Sequence, residues 1–433
     1  MSPAPPTSSF SSEWLVRQRW FRAKHRPIAW VVAADRARLA GNAWLLILAV
    51  RYADGGEDRY LVPAIDEGTR WREPGDGDGA WQAIAQRMAT GAELPAGSGG
   101  FRFDATPALA QLLAGGLEER RLGVEQTNTS VVLGERLILK VYRQLEPGEN
   151  PDLAMGAFLT EVGFAATPTL AGSAHFAPAD GSALSAVGML QAFVRSRRDG
   201  WSEMLALLAT DLDASIRAAE GIGAVTSDLH RALASRPEDA SFPARAATVG
   251  ELAAWRADGE GELVDAIAAL RGAQRERMLR LAPSIRASFA DAFGSAAASA
   301  QVTRIHGDYH LGQLLVTDDG TFAVIDFEGE PARPLAERRR PASPLRDVAG
   351  MLRSLDYAGR TAERGAHAAG FDPEAWLAAS RAALLGAYDA TRADAGLLRA
   401  FELQKACYEV RYEASNRPDW TWLPLEALER LSG

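Results

Sequence analysis

Two short apolar runs that follow residue 313 are separated by a polar turn. The two runs and the turn are residues 314–317, 321–325 and 318–320. Apolar segments of this length, joined by three residues that include a glycine, predict a β-hairpin. Antiparallel pairing sets Thr317 against Thr321 and Gln313 against Ile325. Gln313 and Asp326 are therefore expected to emerge side by side at one rim of the hairpin.

The hydrophobic pattern changes along the chain and predicts three segments. Residues 1–104 combine tryptophan-rich strand patterns with a helical pattern, and a glycine-rich break at residues 97–100 marks their end. Residues 105–194 contain a second hairpin pattern at residues 130–142, and residues 195–433 follow a mostly helical period. The pattern indicates an α+β protein whose N-terminal segment forms an independent α+β domain.

Lys140 lies in the second strand of that hairpin, with apolar neighbours on both sides. A buried strand tolerates a lysine only where the ammonium reaches a partner. We therefore expect the Lys140 ammonium to contact an acid or a bound anion. An edge strand, in which a lysine discourages aggregation, would give the same pattern.

Residues 402–415 follow a helical period close to the C-terminus. A helical wheel places one narrow apolar stripe on the buried side, formed by Leu403, Cys407, Val410 and Ala414. Gln404 lies on the polar flank beside this stripe, and Lys405, Glu409 and Glu413 lie farther round. Such a flank can offer hydrogen bonds to a small ligand. The alternative is a solvent-facing surface of ion pairs.

The composition narrows the class of function. The 433 residues carry a formal net charge of -9, which argues against a nucleic-acid or acidic-membrane partner. No apolar stretch approaches the roughly 20 residues that span a membrane, and the first ten residues lack an apolar signal core. The single cysteine, Cys407, cannot form an internal disulfide. We expect a cytoplasmic protein without an obligate protein partner.

The most specific chemistry surrounds the first hairpin. Residues 306–313 read His-Gly-Asp-Tyr-His-Leu-Gly-Gln, and residues 326–328 read Asp-Phe-Glu. Asp308 offers a carboxylate that can take a proton from an attacking hydroxyl. Gln313 and Asp326 offer oxygen ligands for a metal ion. Phosphoryl transfer needs this combination, because its transition state is stabilised mainly by positioned Mg²⁺, a positioned nucleophile and fixed positive charge.

These two motifs resemble the catalytic signature of the aminoglycoside phosphotransferase and protein-kinase-like group, with Gln313 in the place of the usual Asn. Residues 329–338 and 343–353 continue the match and narrow the resemblance to the actinobacterial maltokinases and glucosamine kinases. The resemblance implies a bilobal, protein-kinase-like fold of the aminoglycoside phosphotransferase type. Its parts would be an N-terminal α+β cap domain, a nucleotide-binding N-lobe and a mostly helical C-lobe, at residues 1–104, 105–194 and 195–433.

The same resemblance implies roles for the motif residues. Asp308 would orient and deprotonate the acceptor hydroxyl. Gln313 and Asp326 would hold Mg²⁺ on the nucleotide phosphates, with Glu328 assisting a second metal ion. Lys140 would neutralise the α- and β-phosphates of ATP. Three further residues are expected to brace the loop rather than to react: His306, His310 and Asp347.

The nucleotide is expected in the N-lobe. The segment 125–130 lacks a glycine-rich pattern, so phosphate contacts would come from its backbone N–H groups and from the hydroxyls of Thr127, Thr129 and Ser130. The strand pattern at residues 189–194 is similar to a kinase hinge, where adenine would hydrogen-bond to the backbone of Gln191, Phe193 and Val194. The acid that would pair with Lys140 is left open between Asp152 and Glu161.

The resemblance also implies a sugar acceptor site beside the C-terminal helix. In addition to Asp308, the expected contacts are Gln404, Glu409, Glu413 and Trp420. The Trp420 indole offers a flat face for a pyranose ring, and carboxylates can pair with an ammonium. Maltokinases tend to carry an acid at the position of Gln404. This departure favours glucosamine, phosphorylated at its 6-hydroxyl.

Three alternatives stay open. A maltokinase would make maltose 1-phosphate, and an aminoglycoside kinase would need a more densely acidic pocket for its polycationic acceptor. A nucleotide-binding pseudokinase scaffold would use the cap to recruit a partner and would transfer no phosphate.

Overall fold

The computed structural model describes residues 10–123, 127–295, 300–330, 333–365, 371–389 and 395–433. The chain divides into two compact units. The first comprises Met1–Thr160 and Pro168–Arg195, and the second comprises Glu161–Thr167 and Ser196–Gly433. The division at Arg195 lies at the predicted start of the C-lobe. The predicted boundary at residue 104 lies inside the first unit and stays a prediction.

The first unit alternates strands with short helices, as an α+β pattern predicts. In chain order its elements are α1 (Ser12–Arg17), β1 (Ile28–Ala40), β2 (Ala43–Tyr52), β3 (Glu57–Asp66), β4 (Trp71–Arg72), α2 (Ala80–Thr90), β5 (Leu94–Ala96), β6 (Gly99–Ala105), α3 (Ala108–Leu112), β7 (Glu119–Leu122), β8 (Asn128–Leu133), β9 (Leu137–Tyr142), α4 (Pro151–Glu161), β10 (Leu170–Pro178) and β11 (Ser185–Ala192).

Strands β1 to β4 form one antiparallel sheet in chain order, and the other strands of this unit form a seven-stranded sheet. The order of the larger sheet is β5-β6-β10-β11-β9-β8-β7. Strand β9 is therefore an interior strand, in which Lys140 pairs with Met189 on one side and Ser130 on the other. The edge-strand interpretation of Lys140 is wrong, since both neighbouring strands are present.

One apolar cluster lies within the N-terminal segment, with members that include Phe21, Leu46, Leu48 and Tyr60, and a second extends beyond it. This second cluster joins the smaller sheet, helix α2 and the larger sheet, with members that include Leu45, Leu61, Trp81, Met88, Phe101 and Val131. Arg143, just after β9, is fully buried; its Nε donates to Thr129 Oγ1 at 2.9 Å, and an Nη lies 2.8 Å from Glu73. Burial lowers the pKa of Arg143, and the Glu73 carboxylate opposes that shift. The smaller and larger sheets therefore share apolar and charged contacts, and the independence of the cap at residues 1–104 stays a prediction.

The second unit is mostly helical. In chain order its elements are β12 (Ser196–Asp199), α5 (Gly200–Thr210), α6 (Leu212–Leu233), β13 (Arg245–Ala246), α7 (Val249–Ala269), α8 (Gly272–Ser295), β14 (Gln301–Val302), β15 (Leu314–Thr317), β16 (Phe322–Val324), α9 (Leu335–Arg338), α10 (Leu345–Glu363), α11 (Pro373–Tyr388), α12 (Ala395–Asn416) and α13 (Trp422–Ser432). Within the described ranges, no helix has the length and hydropathy needed to cross a bilayer.

The hairpin of β15 and β16 has the predicted register. Thr317 and Thr321 close the turn, with a backbone hydrogen bond of 3.0 Å from the Thr317 N–H to the Thr321 carbonyl. At the other end, the Ile325 N–H donates to the Gln313 carbonyl, also at 3.0 Å. Strand β12 pairs with β15 and completes a three-stranded sheet. The prediction of the hairpin and of its register is confirmed.

Candidate active site

Asp347, on helix α10, holds the loop that leads into the hairpin. Its carboxylate accepts the backbone N–H groups of His306 at 2.8 Å and Gly307 at 2.9 Å, and it lies 3.1 Å from Nε2 of His230. The His306 ring makes a second connection, because its Nε2 lies 2.9 Å from the Ile325 carbonyl oxygen. The loop is thus tied both to α10 and to the end of the hairpin.

The hydrogen bonds also fix the charge of Asp347. Burial alone would raise the pKa of this carboxyl, but the hydrogen bond and charge of His230, the charge of His306 and the Gly307 N–H outweigh it and lower the pKa. The Asp347 carboxylate is therefore ionised at neutral pH. His230, which donates to or accepts from Tyr388 through its other ring nitrogen, completes this buried cluster.

Two glycines allow the loop to pack closely. Gly307 has a φ of 83°, a left-handed conformation that glycine adopts without steric cost. Gly350 lies where α10 passes under the loop, and a Cβ at that position would come within 2.7 Å of the Tyr309 carbonyl oxygen. Helix α10 therefore supports the loop directly, with no side chain between their backbones.

The predicted metal ligands Gln313, Asp326 and Glu328 lie at the open end of the hairpin. Gln313 ends a 3₁₀ turn and shares a backbone hydrogen bond with Ile325, the residue before Asp326. Asp326 has a φ of 68°, which is uncommon for a residue with a Cβ and costs about 1–3 kcal/mol. An amide oxygen and two carboxylates are hard donors of the kind that Mg²⁺ prefers, so the donor set fits this ion. Their role as ligands stays a prediction.

Asp308 lines a cavity of about 450 Å³ within the second unit. Helices α7, α10 and α12, the loop of Asp308 and the segment after the hairpin form its wall. The lining is rich in ionisable and aromatic side chains, and includes Trp255, Asp258, Glu262, Glu330, Arg333, Arg346, Lys405 and Tyr408. A pocket with convergent polar groups beside a candidate base is suited to a small polar acceptor.

Two buried side chains that line the cavity carry polar atoms that have no hydrogen-bond partner among the described residues. Gln404 is 5% exposed, and neither its amide oxygen nor its amide nitrogen is bonded. Glu330 has a side chain that is 10% exposed; one carboxylate oxygen accepts from Arg333 Nε at 2.8 Å, and the other, Oε1, is unpaired. An unpaired buried polar group costs about 1–3 kcal/mol, which a ligand with hydroxyl or amino groups would recover.

The cavity contains opposing charges. Lys405 Nζ lies 3.7 Å from Asp308 Oδ1. Burial raises the pKa of Glu262, and the nearby Glu330 carboxylate adds to that rise while Arg411 opposes it. Burial lowers the pKa of Arg346 to about 10, a change to which the neighbouring Arg333 also contributes. An acidic corner near Glu262 therefore lies in the same cavity as the Lys405 cation.

The other predicted acceptor contacts have different surroundings. The Glu409 carboxylate accepts from Arg353 Nε at 2.9 Å, and Glu413 accepts from Tyr357 at 3.1 Å and from Arg417. The Arg417 guanidinium also lies over the Trp420 ring at 5.3 Å. These three predicted contacts, Glu409, Glu413 and Trp420, are not part of the cavity lining, whereas Gln404 and Asp308 are.

Helix α12 is buried more widely than the helical wheel predicted. Leu403, Cys407 and Val410 are fully buried, as expected, but Glu402, Gln404, Glu409 and Glu413 are buried too. The interpretation of a solvent-facing surface of ion pairs is wrong, because arginines from neighbouring helices pair with these glutamates inside the unit.

The cavity residues that sequence reasoning missed include Trp255, Glu330 and Lys405. A weak signal existed for Lys405, since it is one of only three lysines in the chain. Glu330 belongs to the segment that extended the family resemblance, yet no role was assigned to it. Trp255 lies in a long helical segment whose sequence pattern does not distinguish a cavity residue from an ordinary buried one.

The first unit contains the predicted nucleotide residues. Lys140 Nζ lies 2.8 Å from Asp152 Oδ2, with 12% and 2% of the two side chains exposed. The Tyr142 hydroxyl donates to the same carboxylate oxygen at 3.1 Å. Glu161, the other candidate partner, is exposed and pairs with Arg236. Asp152 is therefore the acid that contacts Lys140.

The phosphate and adenine contacts lie on or beside the larger sheet. Thr129 and Ser130 are buried in β8, while Thr127 lies just before it; Glu125 and Gln126 are outside the described residues. Gln191 belongs to β11, which ends at Ala192, two residues before the predicted end of the strand. The Phe193 N–H donates to the Arg136 carbonyl at 2.7 Å, and Val194 follows in the link to the second unit. The nucleotide contacts of all six residues stay predictions.

Comparison with known proteins gives a consistent assignment. The model of the phosphotransferase enzyme family matches residues 110–383, and the model of the maltokinase N-terminal cap domain matches residues 14–88. A glucosamine kinase of Streptacidiphilus jiangxiensis is 32% identical over 401 residues, which cover 87% of this chain and 86% of that protein. A glucosamine kinase of Mycolicibacterium smegmatis is 29% identical over 419 residues, which cover 93% of this chain and 98% of that protein.

Solved structures agree with the sequence relatives. A glucosamine kinase in complex with glucosamine, ADP and inorganic phosphate is 27% identical, and the match covers 99% of this chain and 97% of that one with a TM-score of 0.75. A second crystal form of a glucosamine kinase matches with a TM-score of 0.77 at 26% identity, over 99% and 98% of the two chains. The predicted fold class is confirmed, and the chain belongs to the phosphotransferase enzyme family, within the capped group that includes the glucosamine kinases.

Proposed function

We propose that this protein is an ATP-dependent glucosamine kinase, which transfers the γ-phosphoryl group of ATP to the 6-hydroxyl of glucosamine. In this reaction the acceptor oxygen forms a bond to phosphorus, the bond between the γ-phosphorus and the bridging oxygen breaks, and ADP leaves. The acceptor proton passes to the Asp308 carboxylate. Mg²⁺, when bound, offsets the negative charge of the nucleotide phosphates.

The chain's own residues divide the remaining tasks. Gln313 and Asp326 would hold the metal ion, and Glu328 would assist a second one. Lys140, kept in place by Asp152, would contact the α- and β-phosphates. Asp347 and His306 fix the backbone of the loop, so Asp308 reaches the acceptor without a large rearrangement.

The observation that carries this proposal is the cavity in which Asp308 lies beside unsatisfied polar groups. The Gln404 amide and Glu330 Oε1 are buried and have no hydrogen-bond partner in the described part of the chain, and both residues line the cavity that Asp308 lines. A sugar supplies hydroxyl groups that can donate to a carboxylate and both donate to and accept from an amide. An apolar acceptor would leave these groups unpaired.

The acidic corner supports an amino sugar over a neutral one. Glu262, Glu330 and Asp258 all line the cavity, and Glu330 retains an unpaired carboxylate oxygen. An acceptor ammonium would form a charge-assisted hydrogen bond there. The relatives that are 32% and 29% identical are both glucosamine kinases, which supports the same acceptor.

The proposal is tested by measuring ADP release with glucosamine, maltose, glucose and kanamycin, followed by ³¹P and ¹³C NMR of the product. We expect turnover to be highest with glucosamine, and the product to carry phosphate at C6. Faster turnover of maltose, or phosphate at another carbon, would contradict the assignment of acceptor and hydroxyl. The Asp308→Asn variant is expected to bind ATP while losing transfer.

Maltose is the second candidate acceptor, because residues 14–88 match the cap domain that is named for maltokinases. Phosphorylation of maltose at its anomeric hydroxyl would need the same base and the same metal ligands. The acceptor panel separates the two activities directly. A protein that binds ATP but turns over none of the four acceptors would favour the pseudokinase alternative.

A further inference from the structure

Lys405 is the cation that faces the candidate base. Its Nζ lies 3.7 Å from Asp308 Oδ1, a distance for electrostatic pairing rather than for a direct hydrogen bond. Both residues line the acceptor cavity. Lys405 is held between Gln404 and Ala406, both buried in α12, so its backbone position is fixed by the packing of that helix.

The surroundings of Lys405 favour its charged form. Burial alone would lower the pKa of this lysine, but the carboxylates of Asp308, Glu330 and Glu409 outweigh burial and the opposing charge of Arg333, and the pKa is raised. The Lys405 ammonium also lies 4.6 Å from the centre of the Tyr408 ring, on the same helix. Acids from the catalytic loop, from the segment after the hairpin and from α12 thus surround one ammonium group.

We infer that Lys405 is a positioning residue of the transfer reaction, whose ammonium holds the Asp308 carboxylate towards the cavity and keeps a positive charge where the acceptor oxygen loses its proton. This role rests on the proposed function of Asp308. Lys405 gains and loses no proton in the step. A fixed cation next to an oxygen that becomes partly anionic stabilises the transition state more than the ground state.

A kinetic test compares Lys405→Met, Lys405→Arg and Lys24→Met. Lys405→Met removes the charge with little loss of side-chain length, and kcat with glucosamine is expected to fall by about 100-fold, as removal of a single electrostatic group in an active site does. The KM for ATP should change less than twofold. Lys405→Arg should recover a large part of kcat, and Lys24→Met, at an exposed position in the first unit, should match the wild type.

The pH profile of kcat adds a readout that a purely structural role would not change. Among the described residues, the ionisable groups that face the pair include His310, Glu330, Arg333, Tyr408 and Glu409. Removal of the Lys405 cation makes the neighbouring carboxylates easier to protonate. The acid limb of the profile should therefore move to higher pH in Lys405→Met. Equal kcat and an unchanged acid limb in a variant with wild-type melting temperature would overturn the inference.

A second measurement does not depend on turnover. The chain has three lysines, Lys24, Lys140 and Lys405, so ¹³C-labelled lysine gives three ε-carbon signals that Lys→Met variants assign. Asp308→Asn removes a carboxylate that raises the pKa of Lys405, and the titration of that signal should move to lower pH while the Lys24 signal stays unchanged. An unmoved Lys405 signal would disprove the pairing. If the wild type phosphorylates no acceptor, the proposed function fails, and this titration still decides whether Lys405 pairs with Asp308.

Discussion

The carboxylate of Asp347 accepts the backbone N–H of His306 at 2.8 Å, so a buried acid on helix α10 fixes the start of the loop that carries Asp308. A second bond, from the neighbouring Gly307 N–H, and a contact with His230 engage both oxygens of this carboxylate. The loop conformation therefore depends on the charge of Asp347, which is not itself one of the reacting groups.

Replacement of Asp347 by Asn is expected to lower kcat by about 100-fold, since a misplacement of roughly 1 Å at a reacting group has that effect. An amide offers one acceptor oxygen where the carboxylate offers two, so one of the loop N–H groups or His230 loses its partner. Steady-state kinetics measure the loss. Asp356→Asn is the control, because Asp356 is also a buried acid on the same helix and pairs with arginines away from the loop. Equal losses of kcat in both variants would contradict the specific role.

The pH dependence of stability follows from the same carboxylate. The folded protein lowers the pKa of Asp347 below the value of about 3.9 that an unfolded aspartate has. Its contribution to stability is therefore complete above about pH 4 and is lost as the pH falls through the folded pKa. Melting temperatures of wild type and Asp347→Asn, measured from pH 7 down to pH 3, should converge at the acidic end. A constant difference across this range would show that the charge of Asp347 does not stabilise the fold.

Asp152 and Glu161 provide a matched pair for the nucleotide site. Asp152→Asn removes the charge that holds Lys140 Nζ, and the KM for ATP is expected to rise about tenfold, which corresponds to roughly 1.4 kcal/mol. Glu161→Gln should leave the KM for ATP unchanged, because Glu161 is exposed and pairs with Arg236. Isothermal titration with ATP measures binding independently of turnover. A larger rise of the KM for ATP in Glu161→Gln than in Asp152→Asn would identify Glu161 as the functional partner of Lys140.

Gly350 and Gly386 form a second matched pair. A Cβ at Gly350 would lie 2.7 Å from the Tyr309 carbonyl oxygen, so Gly350→Ala should destabilise the protein by about 1–3 kcal/mol and lower kcat by displacing the loop. A Cβ at Gly386, inside α11, would meet no atom of the described residues within 4 Å, and Gly386→Ala should stabilise the protein by about 0.5–1 kcal/mol. Denaturant titrations measure the change in the free energy of unfolding for both variants, including its sign. A neutral Gly350→Ala would mean that the loop can move away from α10 at little cost.

The parts of the site that sequence predicted are those fixed by local geometry. The register that sets Gln313 against Ile325 follows from a turn of three residues, and the fully buried residues of α12 follow from a helical period. These features depend on residues close in the chain. The sequence also limited the partner of Lys140 to two acids, Asp152 and Glu161.

The parts that were not predicted depend on which elements pack together. The wheel of α12 places Glu409 away from the apolar stripe, but it contains no information that Arg353 of α10 approaches that side. The same lack of long-range information hid the approach of Lys405 to Asp308, which are 97 residues apart in the sequence. A shared core between the first two sheets was likewise invisible, because each sheet has a plausible apolar pattern by itself.

Gln404 should show opposite effects on stability and on acceptor binding. Gln404 is 5% exposed, and its amide has no hydrogen-bond partner among the residues that the structure describes. Gln404→Leu replaces this buried polar group by an apolar one of similar size and should stabilise the unliganded protein by about 1 kcal/mol. The same change removes hydrogen bonds that the amide would make to sugar hydroxyls, and the KM for glucosamine should rise about tenfold, a cost of roughly 1.4 kcal/mol. Gln274→Leu, at an exposed position of α8, is the control for the loss of an amide and should leave that KM unchanged. Thermal melts without ligand and steady-state kinetics with varied glucosamine measure the two effects separately. A loss of stability together with an unchanged KM would mean that the Gln404 amide serves the packing of α12 and does not bind the acceptor.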